Sequence, residues 1–174
     1  KKILFAGEWC RLFSNKKSYE RVCDYEVFPY HWLDQEDLYR DIEYLENIYE
    51  AYLGYVVVAL NNLHGVNYSK RYWRIILGVW LNDFIRLVYD YFVTIQNIDK
   101  ANLVTNTYII EIMAERVIPQ DFSEFHEFCS HPFYNHCVFS SIIKETSNIP
   151  YEVCSIYISY TCIGWVYLDY YLLK

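Results

Sequence analysis

From Leu38 onward the residues Leu38, Ile42, Leu45, Tyr49, Tyr52 and Val56 return at alternating steps of four and three, which lays them along one face of a helix. After the turn "GVNYS" a second run does the same, with Trp73, Ile76, Leu77, Trp80, Leu81, Phe84, Val88 and Tyr91 on its apolar face. Whatever this chain folds into has to be built around these two long helices. Asp34 stands where the first helix needs a cap, and Glu36 and Asp37 suit the positive end of its dipole. The pattern weakens at Gly54, where "GYVVVAL" alone would suit a strand. No turn separates it from the helix, so one helix, with Gly54 as a place to kink, is expected to run to His64 and stop at Gly65. The second helix is expected from Lys70 to about Thr94, with Arg74, Gly78, Asn82, Arg86 and Asp90 on a polar row.

The flanking segments read as strands and shorter helices. Ile3 to Ala6 is an apolar run stopped by Gly7, and Tyr25 to Phe28 is closed by Pro29; both fit strands. Asn97 to Asn102 reads as a loop and Val104 to Ile112 as a third strand. A short helix is expected after Pro119, with Asp121 or Ser123 at its start, and another over Asn135 to Thr146. This order is an α/β pattern with large helical content. Val153 to Leu173 carries one charge, Asp169, and is long enough to cross a membrane, but its five tyrosines favour a buried strand plus helix. Residues 1–146 are thus expected as one α/β domain, with 147–174 as a hydrophobic tail opening a truncated region. Lys1 sits just before a strand and no Met opens the chain, so the ends read as those of an incomplete fragment.

At 174 residues, 54% apolar and 21% charged, the chain has a globular composition. A net charge of -7, with 15 scattered Lys and Arg, argues against nucleic acid as a partner. The six cysteines contain no C-x-x-C pair and mostly sit in apolar runs, as buried thiols in a reducing compartment do.

Four constellations could carry chemistry. Glu8-Trp9-Cys10-Arg11 follows the first strand, at the edge where open α/β sheets gather ligands. Glu8 and Arg11 are the functional candidates there, against a reading in which Trp9 packs under the sheet and the two charges form a surface pair. Pro29-Tyr30-His31-Trp32 follows the second strand in the same way, and parallel strands would bring His31 toward Glu8. A histidine beside a carboxylate can act as general base near neutral pH, although the same His could simply be packed between aromatics. Arg71 and Arg74 lie in the first turn of a helix beside Tyr72 and Trp73, where cations oppose the dipole. A bound anion would account for them, and so would acidic partners elsewhere in the chain. Cys129, His131, His136 and Cys137 have ligand chemistry, but their spacing matches no common zinc module, and no metal is expected.

No phosphate-binding glycine loop, nucleophile elbow or H-E-x-x-H occurs, so no complete nucleotide site or bound cofactor is expected in this chain. The blocks "LFAGEWCRLF", "FPYHWLDQEDLYRDIEYL", "LNNLHGVNYSKRYWRIILGVWL", "IPQDFSEF" and "YNHCVFSSII" nevertheless resemble, in that order, the amino-terminal part of a family of bacterial transferases associated with O-antigen and other surface-polysaccharide loci. The resemblance spans about residues 2 to 145; where that family's pattern has proline before Trp80, this chain has Val79.

The resemblance implies a Rossmann-like amino-terminal domain of the GT-B glycosyltransferase type, facing a saccharide or lipid-linked saccharide acceptor. A carboxyl-terminal domain, as partner, would hold a nucleotide-activated sugar. It implies a cytoplasmic site, with peripheral association at the inner face of the inner membrane. As motif positions it marks Glu8, Trp9, Cys10 and Arg11; Tyr30, His31 and Trp32; and His64, Arg71, Tyr72, Trp73 and Arg74. On this reading Glu8 or His31 is the base, Arg71, Arg74 and Arg11 bind the anion, and Trp9, Trp32 and Trp73 offer rings to a sugar. The competing reading is a non-catalytic α-rich interaction domain or a membrane-associated one.

Overall fold

The computed structural model describes residues 2–10, 24–110, 118–154 and 172–173. The chain divides into two compact units, residues 1–30 with 91–174, and residues 31–90. Its elements are β1 (Lys2–Phe5), β2 (Asp24–Val27), α1 (Gln35–His64), α2 (Lys70–Ala101), β3 (Asn106–Ile110), α3 (Phe122–Cys129), α4 (Pro132–Thr146), β4 (Tyr151–Cys154) and β5 (Leu172–Leu173). The result is an α/β fold with large helical content.

The first unit holds a five-stranded sheet in the order β2-β1-β5-β3-β4. β1 pairs with β2 in parallel, β3 with β4 in parallel, and β5 lies antiparallel between β1 and β3. The four longer strands therefore all point one way. Ile3, Leu4 and Phe5 of β1 are all buried, the uninterrupted burial of a strand covered on both faces. β2 alternates exposed and half-buried positions, as an edge strand does, and its Glu26 pairs with Lys2 at 3.0 Å. Two strands of this sheet come from residues 151–173, the stretch the sequence sets apart as a tail. Residues 155–171 lie outside the described ones, so the buried-or-spanning choice for the tail does too. Among the described residues no helix is long and apolar enough to cross a membrane.

α4 packs against the last turns of α2 in this unit. Tyr91 stacks on Phe139 with ring centroids 4.3 Å apart and donates its hydroxyl to Asn135 at 2.8 Å. Gln96 donates to the Thr146 carbonyl, and Asp99 accepts from the Asn148 amide. These contacts correct the expected loop at Asn97 to Asn102. The buried Ile95 and Ile98 continue the apolar face, and the helix ends only at Asn102, whose φ of 50° is a left-handed stop. α4 likewise begins earlier than expected, at Pro132, because the His131 ring caps it by accepting from the Phe133 amide.

The second unit is an antiparallel helical hairpin made of α1 and the first part of α2. Asp34 caps α1 through the Glu36 amide, and Gly65, at φ 63°, closes it. α1 passes through Gly54 without interruption. Asn61 fastens the turn, exchanging hydrogen bonds with the Tyr68 backbone and accepting from the Trp73 indole at 2.9 Å. Further along, the Tyr49 hydroxyl approaches so close to Gly78 that a side chain there would meet it at 2.7 Å. Leu53, fully buried, sits in the same row of contacts.

Leu53→Ala is expected to lower the unfolding free energy by about 2–5 kcal/mol. Tyr55→Ala, on the exposed side of the same helix, should change it by less than about 0.5 kcal/mol. Urea titration of both variants checks the assignment of the hairpin's inner row.

Candidate functional site

The carboxyl ends of β1 and β2 do lie side by side. The Phe28 amide donates to the Phe5 carbonyl at 2.8 Å, extending the parallel ladder, and the chain then leaves both strands together. Beyond β1, Glu8 to Cys10 form one turn of 3-10 helix, with Glu8 exposed and Cys10 buried. Trp9 folds back over Gly7, where any Cβ would run into its six-membered ring. That close approach is why the strand ends in glycine. The indole is 43% exposed and meets the Tyr30 ring edge-on at 5.6 Å, so it lies at the sheet's rim and not beneath it. Arg11 lies outside the described residues.

His31 opens the hairpin unit, so the structure assigns Glu8 and His31 to different units. Its Nε2 is 3.4 Å from Asp90 Oδ1, and its ring lies 4.6 Å from that of Trp32. Burial lowers the His31 pKa, with the nearby Asp41 charge opposing the shift, so the ring is neutral at pH 7. Asp41 is itself buried and accepts from the Trp32 indole at 3.0 Å, while Arg40 stands 3.5 Å away. Tyr89 is bonded to the same carboxylate; burial first, and Asp41 second, push its pKa up to about 12. Its ring stacks on Trp32. Trp32 is thereby held by Asp41 and Tyr89.

Asp41, Tyr89 and Asp90 are absent from the sequence-derived set. Asp41 interrupts the apolar face beside Ile42, and Asp90 ends the polar row of α2. A carboxylate breaking an apolar face was the available signal for Asp41.

The arginine pair at the start of α2 is divided. Arg74 directs its Nη2 to both oxygens of Glu50 at 2.7 Å, and Lys70 reaches the same carboxylate at 2.7 Å. The hydrogen bond from Lys70, joined by Arg74, holds the Glu50 carboxyl below its ordinary range. An acidic partner within the chain thus answers the Arg74 charge. Arg71 and Tyr72 are exposed, Trp73 is buried, and the exposed His64 ring stacks on Trp73 at 6.1 Å.

The Cys and His group is occupied by packing. His131 caps α4, Cys137 donates its thiol to the Phe133 carbonyl, and burial pushes that thiol up to about 12. Cys10, Cys129 and Cys137 are not joined in disulfides. Among the described residues no group of His, Cys, Asp and Glu is arranged to hold a metal ion.

Two outcomes test this geometry. Gly7→Ala should couple to Trp9→Ala by about 0.5–3 kcal/mol in a double-mutant stability cycle, because the added methyl costs little once the indole is gone. Burial also pushes His136 from 6.5 down to about 4. Between those values the unfolded chain binds a proton that the folded chain refuses, so this stability is complete above pH 6.5 and is lost as the pH falls. Going from pH 7 to pH 5 should remove about 2 kcal/mol through this group, a slope that His136→Gln abolishes in denaturation curves.

No curated protein matches this chain, and no solved structure does. The family model described as LIC12162 family transferase matches residues 1–157. The chain therefore belongs to the LIC12162 family of transferases.

Proposed function

We propose that this chain is the acceptor-side part of a GT-B-like glycosyltransferase acting in surface-polysaccharide or O-antigen assembly. The observation that carries the reading is the sheet. Its four longer strands are mutually parallel, and chain order turns back beside β1, where the exposed Trp9 and its partner Tyr30 stand at the carboxyl ends. In sheets of this kind ligands bind outside the carboxyl ends at such a reversal.

In the proposed reaction an acceptor hydroxyl attacks the anomeric carbon of a nucleotide-activated sugar. The bond to the departing diphosphate breaks, and the hydroxyl proton passes to a base. His31 suits that role because its ring is neutral at working pH and Asp90 stands at its Nε2 to stabilise the imidazolium. Glu8, exposed at the strand tip, is the second candidate. Trp9 is the most accessible of the three indoles for stacking on a sugar, and Arg11, next to it in sequence but for Cys10, is the cation for the leaving anion. Arg71, about 28 Å along α2 from the Asp90 that faces His31, is too far from that base to serve the same anomeric carbon. The donor itself would be held by a carboxyl-terminal domain, and the acceptor would be a saccharide or a lipid-linked saccharide.

In the full-length protein, release of nucleoside diphosphate from a panel of nucleotide sugars, with saccharide and lipid-linked acceptors, should fall about 100- to 10,000-fold in either His31→Ala or Glu8→Gln. Turnover within about threefold of the parent in both variants would sink the site assignment.

A further inference from the structure

We infer that Asp41 is a positioning residue for the proposed sugar transfer, acting on the His31 ring through Trp32 without touching substrate. The inference rests on the reading of His31 as the base. All of the groups involved belong to the hairpin unit. The Trp32 indole donates to Asp41 Oδ2 at 3.0 Å, and its ring lies 4.6 Å from that of His31 and stacks on Tyr89 at 6.3 Å. Tyr89 is bonded to the same carboxylate, and Tyr44, one turn beyond Asp41 on α1, meets the Tyr89 ring at 5.7 Å. Asp41 therefore closes a circle of contacts that joins the entering segment, α1 and α2 beside the base.

Stability alone does not ask for a carboxylate at this place. Leu38 and Leu45 stand one turn to either side of Asp41 along α1, and a third leucine there would bury apolar surface where the acid has to be desolvated. Arg40 compensates weakly, because its side chain is 69% exposed and stands 2.6 Å from Asp37 but 3.5 Å from Asp41. What the carboxylate supplies, and leucine could not, is a fixed acceptor for the Trp32 indole and a negative charge near His31. Both matter for a base. The His31 side chain is only 8% exposed, so it presents a narrow edge to an acceptor, and a displacement of about 1 Å can cost about 100-fold in rate. The charged groups facing the ring are Asp90 on α2, 3.4 Å from Nε2, and Asp41 on α1, with Tyr89 of α2 and Arg40 of α1 bordering Asp41. The Asp41 charge favours the imidazolium against the burial that disfavours it.

The test is nucleoside diphosphate release by the full-length protein, from the nucleotide sugar it turns over fastest, followed against pH. Asp41→Asn keeps an oxygen to accept from the Trp32 indole but removes the charge. It should lower kcat about tenfold with KM within about threefold of the parent, and move the acid limb of kcat/KM to lower pH, because His31 then holds its proton less tightly. Trp32→Phe removes the indole donor and leaves the charge, so it should lower kcat about tenfold with the acid limb in place. Thermal unfolding shows whether each variant folds, and if one does not, the other carries the test. An unmoved limb in Asp41→Asn, which is what a merely structural residue gives, overturns the inference. So does a Trp32→Phe variant within about threefold of the parental kcat. His31→Ala separates the positioning role from the base assignment. Parental turnover in His31→Ala sinks the base assignment itself, whereas its loss together with parental behaviour in the other two variants sinks the positioning role alone.

Discussion

A carboxylate taken out of water costs several kcal/mol unless donors replace its hydration. Asp41 is buried on α1, and its donors come from three places, the Trp32 indole ahead of the helix, the Tyr89 hydroxyl on α2, and Arg40 beside it. That requirement fixes the segment entering the hairpin against both helices. With Trp32 held, the adjacent His31 is held too, and its Nε2 faces Asp90. The same burial that makes Asp41 demanding keeps His31 neutral, so one constraint sets both the placement and the protonation of the candidate base.

The hairpin handles its charges differently at its two ends. Near the open end the carboxylates are numerous and one is buried, and aromatic donors satisfy it. Near the turn, Lys70 and Arg74 converge on Glu50 at the surface. Exposed pairs of this kind contribute little to stability because water competes for both partners. Their effect is positional. They hold two long cationic side chains along one edge and leave the opposite edge to apolar residues.

How much of this was legible in the sequence depends on how local the signal is. The first two strands, within one residue of their expected bounds, the Asp34 cap, the Gly65 stop and Asp121, one of the two caps offered for α3, follow from neighbouring residues. The end of α2 was missed because Asn97, Asp99 and Lys100 look like loop residues. Ile95 and Ile98 had already carried the apolar face past them. The partner of Arg74 lies 24 residues away in sequence, so nothing beside the arginine could reveal that its charge is met. Asp41 and Asp90 escaped notice for a related reason. On a long helix a carboxylate reads as a solvated face, and only the crossing of a second helix decides whether water reaches it.

The sheet shows the same limit from the other side. Three strands are readable in the sequence, but their order in the sheet is not, because β1 and β2 are separated from β3, β4 and β5 by the entire hairpin. β5 is two residues long and carries no pattern, yet it joins the β1–β2 pair to the β3–β4 pair. Being antiparallel to both β1 and β3, it also makes the two pairs point the same way. The carboxyl ends of all four longer strands therefore share one edge, and at β1 and β2 that edge carries Trp9 and Tyr30. The direction of that short strand, more than any motif in the first ten residues, makes the tip of β1 part of an edge and not an isolated turn.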